Sequence, residues 1–158
     1  MGKSCSEVER AYIAGFLDAD GAIMACIEKH KEKRFGFRVR VALKVTQHNR
    51  GILDWIQRTV HAGAVRANRP GDIRQTYDLL IRDRGDVRIV LQLLLPYLRA
   101  KRKQAQMTLR ILDREVKNKT DLIRNARLAD ALSRFNIRSK NRRKNFVMKI
   151  EEHLSPND

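Results

Sequence analysis

The sequence predicts an α+β domain of order αββαββα built around an antiparallel sheet, with extra helices at the C-terminal end. Three observations carry that prediction. Residues 35–47 alternate apolar and polar side chains with the period of a β-strand. Shorter alternating stretches follow one another through turn-forming residues rather than crossover helices, which makes neighbouring strands antiparallel. The stretches before, between and after them repeat apolar residues at spacings of three and four, as helices do. One sheet face should therefore pack on helices while the other faces a partner.

Residues 7–20 read as a helix, with Ser6 as its cap, Glu9 completing a capping box and Gly21 as its stop. Val8, Ala11, Tyr12, Gly15, Phe16 and Ala19 recur in it at helical spacing. Residues 22–30 alternate, with Ile23, Ala25 and Ile27 on one face, and residues 31–34 form a polar turn. In residues 35–47, Phe35, Phe37, Val39, Val41, Leu43 and Val45 fall on one face and Arg38, Arg40 and Lys44 on the other. One side is core and the other cationic. Residues 49–60 form a helix with Trp55 in its apolar stripe. Residues 63–68 and 74–81 are two further strands around a Pro70-Gly71 turn. Residues 86–95 are helical and end near Pro96. Residues 104–116, 121–135 and 146–154 complete the helices, with a basic loop at 136–144. No internal repeat or composition shift divides the chain, so residues 1–158 are expected to form a single domain.

Charge narrows the function. Lys and Arg number 34 against 18 Asp and Glu, a net +16, and so large a self-repelling surplus points to a polyanionic partner. Cys5 and Cys26 form no CxxC pair, so neither a disulfide framework nor a zinc ribbon is expected. His30, His48, His61 and His153 lack metal-ligand spacing, and neither a Ser-His-Asp nor a phosphate-loop pattern is present. The chain shows no apolar signal core, and its longest apolar run, from Ile89 to Leu95, is too short to span a membrane. No membrane and no organic cofactor are expected.

Two features of the first helix carry chemistry. Ala11, Gly15 and Ala19, spaced by four, make a stripe along which a second helix backbone can approach closely. Asp20 sits at the C-terminal end, where the helix is negative and a carboxylate is misplaced unless a cation joins it. Two such helices side by side would bring two copies of Asp20 together. Paired carboxylates bind hard cations such as Mg²⁺, and such ions activate water and stabilise both oxygens of phosphodiester hydrolysis. The plainer alternative is small residues packed on the core and two aspartates in solvent.

The segment Ile13-Ala14-Gly15-Phe16-Leu17-Asp18-Ala19-Asp20-Gly21 resembles the nine-residue signature of the LAGLIDADG homing endonucleases. Ala14, Gly15, Asp18, Ala19, Asp20 and Gly21 match by identity, and Ile13, Phe16 and Leu17 exchange one apolar residue for another. The strand end Val45-Thr46-Gln47 and the stretch from Pro96 to Ala105 resemble further blocks of that family. The resemblance implies a metal-dependent, site-specific DNA endonuclease with a DNA-binding sheet. It implies Asp20, Gln47, Lys101 and Arg50 as catalytic-site residues, with Asp20 and Ala19 at the metal. With a single signature present, it implies a homodimer joined at Ala11, Gly15 and Ala19 that shares two or more divalent ions. The target would be a long pseudo-palindrome, cut across the minor groove to short 3′ overhangs, in an intron-homing context.

A β-ribbon fits the major groove, where each base pair shows a distinct donor and acceptor pattern. The face carrying Arg38, Arg40 and Lys44 would also present Met24, Cys26, Glu28 and His30, then Arg66 and Asn68, then Arg74, Thr76 and Asp78. The interleaved acidic and amide residues suggest base discrimination rather than phosphate grip alone. Arg138, Lys140 and Arg142 of the basic loop read as backbone contacts. The alternative is a non-cleaving DNA- or RNA-binding relative such as an intron maturase. The expected location is a prokaryotic cytoplasm, or a chloroplast or mitochondrion if the gene is organellar.

Overall fold

The helices begin where a side chain can satisfy the first unpaired amides. A computed structural model describes residues 4–136 and 146–154 of the chain. Helix α1 (Glu7–Asp20) starts in the expected capping box, with Ser6 Oγ accepting from the Glu9 amide and Glu9 answering to the Ser6 amide. Asn49 caps α2 (Arg50–Val60), Asp83 caps α3 (Arg84–Leu94) and Asn118 caps α5 (Lys119–Phe135) in the same way. Asp83 explains why α3 begins two residues before the apolar pattern suggested.

Helix α4 (Arg102–Asp113) has no side-chain cap of its own. Arg84 and Arg88 close its far end by donating to the carbonyls of Ile111 and Leu112, so it stops short of Val116. Helix α6 (Phe146–His153) packs on α5, and the Phe146 amide donates to the Asp130 carboxylate.

Strands β1 (Gly21–Lys29), β2 (Phe37–Gln47), β3 (Ala64–Asn68) and β4 (Thr76–Ile81) form one antiparallel sheet in the order β1-β2-β4-β3. The alternation read in β2 holds: Phe37, Val39, Val41, Leu43 and Val45 are buried, and Arg38, Arg40 and Lys44 are not. Ile23 and Ala25 of β1 and Leu79 and Ile81 of β4 join the buried face, against which α1, α2, α3 and α5 pack. Strand β4 starts later than expected: Arg74 lies in the preceding turn with its amide bonded to Asp72. Gly63, at φ 82°, lets the chain turn into β3 where a Cβ would come within 2.7 Å of Ile81. Among the described residues no helix is long and apolar enough to cross a membrane.

Candidate functional site

The end of α1 brings three of the expected residues together. Asp20 is exposed, and its Oδ2 accepts a hydrogen bond from the Gln47 amide Nε2. Strand β1 begins at Gly21 opposite Val45, so Thr46 and Gln47 run past it toward the helix end. The core-facing run of β2 ends with Val45, and the half-buried Gln47, two positions on, bonds Asp20 instead of entering the core. Lys101 arrives from the start of α4, its ammonium donating to the main-chain carbonyl of Asp18. Helix α1 has no basic residue in its last turn, so Lys101 supplies the cation that its negative end lacks.

Asp18 does different work from Asp20. Its carboxylate accepts from the backbone amides of Arg99, Ala100 and Lys101 at 2.8, 3.2 and 2.8 Å. It thereby ties the turn that leads into α4 to the end of α1 and fixes Lys101 there. Nothing near Asp18 in the sequence signals this role, because its partners lie more than eighty positions further on. Gly21 is held by crowding rather than by φ: a Cβ there would sit 2.7 Å from the Leu17 carbonyl oxygen.

Arg50 stands on the first turn of α2, paired with Asp54 at 3.4 Å and lying 5.7 Å over the ring of Tyr77, which neighbours Gln47 across the sheet. The described contacts do not join it to Asp20. Among the described residues no three His, Cys, Asp or Glu converge as a metal cage. Among the described residues, the end of α1 offers the Asp20 carboxylate and the adjoining Ala19 carbonyl, both hard oxygen donors suited to Mg²⁺ or Ca²⁺.

The outward face of α1 is open. Ala11, Gly15 and Ala19 are exposed, and nothing lies within 4 Å of a Cβ built on Gly15. Val8 and Tyr12, 79% and 50% exposed, extend this apolar surface, and Tyr12 stacks edge-on against Trp55 and beside Phe16. The opposite face supplies the core through Ile13, Ala14 and Leu17. The helix is thus apolar on two sides, one covered and one not.

The polar sheet face is a row of paired charges. Glu28 lies opposite Arg38 and binds both Arg38 and Arg40; Asp78 binds Lys44 and accepts from Thr46. The Arg40 guanidinium, followed by that of Arg38, holds the Glu28 carboxyl below its ordinary range against the opposing effect of partial burial. Met24, Cys26, Arg66, Asn68 and Thr76 share the face by register. His30 belongs to the β1–β2 turn, where its amide donates to Gly36, and Arg74 projects from the β3–β4 turn. Arg138, Lys140 and Arg142 lie outside the described residues.

Comparison with known proteins finds this arrangement elsewhere. A family model described as LAGLIDADG endonuclease matches residues 13–112. The DNA endonuclease I-CvuI of Chlorella vulgaris is 34% identical over 128 residues, covering 78% of this chain and 77% of the relative. The DNA endonuclease I-CreI of Chlamydomonas reinhardtii is 31% identical over 104 residues, 65% of this chain and 61% of the relative. The crystal structure of the homing endonuclease I-CvuI with the I-CreI target, in 2 mM Mg with the DNA not cleaved, superimposes with a TM-score of 0.81. The sequences there are 31% identical, and the match covers 94% of this chain and 93% of that one. The fold recurs at 18% identity and a TM-score of 0.69 in DNA-bound I-SmaMI, over 79% of this chain but only 45% of that longer one.

Proposed function

We propose how the site works from one premise: the chain belongs to the LAGLIDADG endonuclease family. Its function is that of a homing endonuclease, a nuclease that cuts DNA. Residues 1–158 act as one domain, and two copies join through Ala11, Gly15 and Ala19 of α1. The observation that carries this reading is the convergence of Asp20, Gln47 and Lys101 beside an uncovered face of small residues. A helix that leaves its small residues uncovered next to a lone acid fits half of a two-fold site. The occurrence of the same fold within a little under half of a longer chain accords with such pairing.

In the pair, both copies of Asp20 would face the centre of the bound duplex, where the Asp20 carboxylates and the Ala19 carbonyls would hold Mg²⁺. Bound divalent ions supply Lewis acidity to water and phosphate oxygens. Gln47 orients the Asp20 carboxylate and offers its amide oxygen to the attacking water. Lys101 sets a positive charge where negative charge grows on the scissile phosphate. Arg50, steadied by Asp54 and Tyr77, contacts the phosphate backbone at the same end of the sheet. The sheet face lies in the major groove: Arg38, Arg40, Lys44 and Arg66 read base edges with Met24, Cys26, Glu28, Asn68, Thr76 and Asp78. His30 and Arg74 flank it on the backbone, and the basic residues Arg138, Lys140 and Arg142 add phosphate contacts. Two-fold symmetry makes the target pseudo-palindromic, with short 3′ overhangs. The chain works wherever its host DNA lies, in a prokaryotic cytoplasm or an organelle.

The test is cleavage of a large pool of partly palindromic duplexes in Mg²⁺ and again in EDTA, with sequencing of the cut ends. Cutting at one long pseudo-palindrome in Mg²⁺ alone is the expected result. Retention of a subset of duplexes with no cutting in either condition would overturn the catalytic reading in favour of a binding protein.

A further inference from the structure

The charges on the sheet face are not spread evenly. Glu28 and Arg38 are direct cross-strand partners, and Arg40 stands one diagonal step away opposite Cys26. Arg38 binds Glu28 Oε2 through both Nε, at 3.0 Å, and Nη2, at 2.9 Å. Arg40 binds Oε1 through Nη1 at 2.8 Å. Both carboxylate oxygens are engaged, so Glu28 has little left to offer a cytosine amine directly.

The consequence for Arg38 is geometric. A guanidinium carries five N–H donors in a rigid plane. Arg38 spends its Nε side on Glu28, which leaves the end-on pair, one N–H from each terminal nitrogen, parallel and unspent. Guanine O6 and N7 accept such a fork in the major groove. A carboxylate between the two arginines also argues against a role on the backbone. Glu28 cancels one of the two arginine charges and so weakens the pull on phosphate, while leaving the Arg38 fork free for the uncharged edge of a base.

We propose that Glu28 is a positioning residue for sequence discrimination: it presents Arg38 end-on, with Arg40 beside it, so that the chain demands guanine at the base pair beneath this triad in each half-site. The inference rests on the endonuclease reading above and names part of its substrate.

The test compares wild type with Glu28→Gln on duplexes randomised through both half-sites, reading base preference from the cut pool in Mg²⁺ and from the bound pool in EDTA. Wild type should prefer guanine at one symmetric position per half-site. In Glu28→Gln that preference should fall roughly tenfold, the size of one good bidentate contact. Other positions should keep theirs, and affinity for random duplex should rise because an acidic charge has left the DNA face. A merely structural role would lower affinity everywhere and spare no position. Arg38→Gln should move the same position from guanine to adenine, the base whose N6 and N7 a glutamine amide matches. Should Glu28→Gln fail to fold, this second variant decides: adenine supports the proposal and retained guanine overturns it. A wild type that cuts specifically, with a guanine preference unmoved in Glu28→Gln, overturns the proposal alone. A wild type that neither binds nor cuts any duplex removes it together with the endonuclease reading.

Discussion

Two aspartates two positions apart on one helix divide the work of structure and chemistry. Asp18 is spent on three backbone amides of the turn before α4, while Asp20 is exposed and, among the described residues, bonded only to Gln47. Asp18→Ala should therefore cost stability, about 2 kcal/mol for the orphaned amides of the turn before α4, and should loosen Lys101. Asp20→Asn should leave the melting temperature near wild type and the target bound, yet abolish cleavage. Thermal melts alongside cleavage assays separate the two, and an Asp20→Asn enzyme that cuts at the wild-type rate would remove Asp20 from the site. Gly21→Ala should disturb both properties, since its methyl would meet the Leu17 carbonyl at 2.7 Å and push the strand from the helix end. Asp20 was legible in the sequence because an acid at a helix C-terminus without a local cation asks for a partner. Asp18 was not, because its partners are close only in the folded chain.

At the scale of elements, the strands were the more readable. A period of two over β2 has one interpretation, and the buried and exposed sets followed it from Phe37 to Val45. Helix boundaries were less so, because α4 is bounded by Asp18, Arg84 and Arg88 from other elements rather than by its own residues. Helix α1 shows why apolar spacing alone misleads: Val8 and Tyr12 share the helical period with the core residues but face outward. Gly15→Leu tests what that face is for. With nothing within 4 Å of the new side chain, and with leucine a better helix former than glycine by up to about 1 kcal/mol, the single chain should fold normally. Light scattering should then report monomers where wild type gives dimers. Unchanged dimer mass would place the contact elsewhere. On the sheet, the arginines beside Glu28 lower its folded pKa, so their pairing stabilises at neutral pH and fades as pH falls below 4.5. The pair is partly exposed, so this share is below about 1 kcal/mol. The stability gap between wild type and Glu28→Gln should close in acid, and a gap constant with pH would mean the carboxylate charge contributes nothing.

The whole molecule combines a net charge of +16 with an apolar helix face left uncovered, and the two features complement one another. Two such chains would repel at long range and join only where α1 meets α1, with a duplex between them to neutralise both sheets. The strictest consequence concerns stoichiometry. Among the described residues one chain holds no complete metal cage, and its single exposed acid at the helix end needs a second. If the ions are shared, a dimer of one wild-type and one Asp20→Asn chain has lost a ligand from the common site and cannot break both strands. Mixed at equal amounts and allowed to exchange, the two proteins should give about a quarter of the double-strand breaks of wild type, because only dimers with two intact copies act. The rate should follow the square of the wild-type fraction across a titration. A linear decline would mean that one intact copy is enough to break both strands. A square-law loss of double-strand breaks with nicked duplex accumulating would mean that each Asp20 serves its own strand, without shared ions.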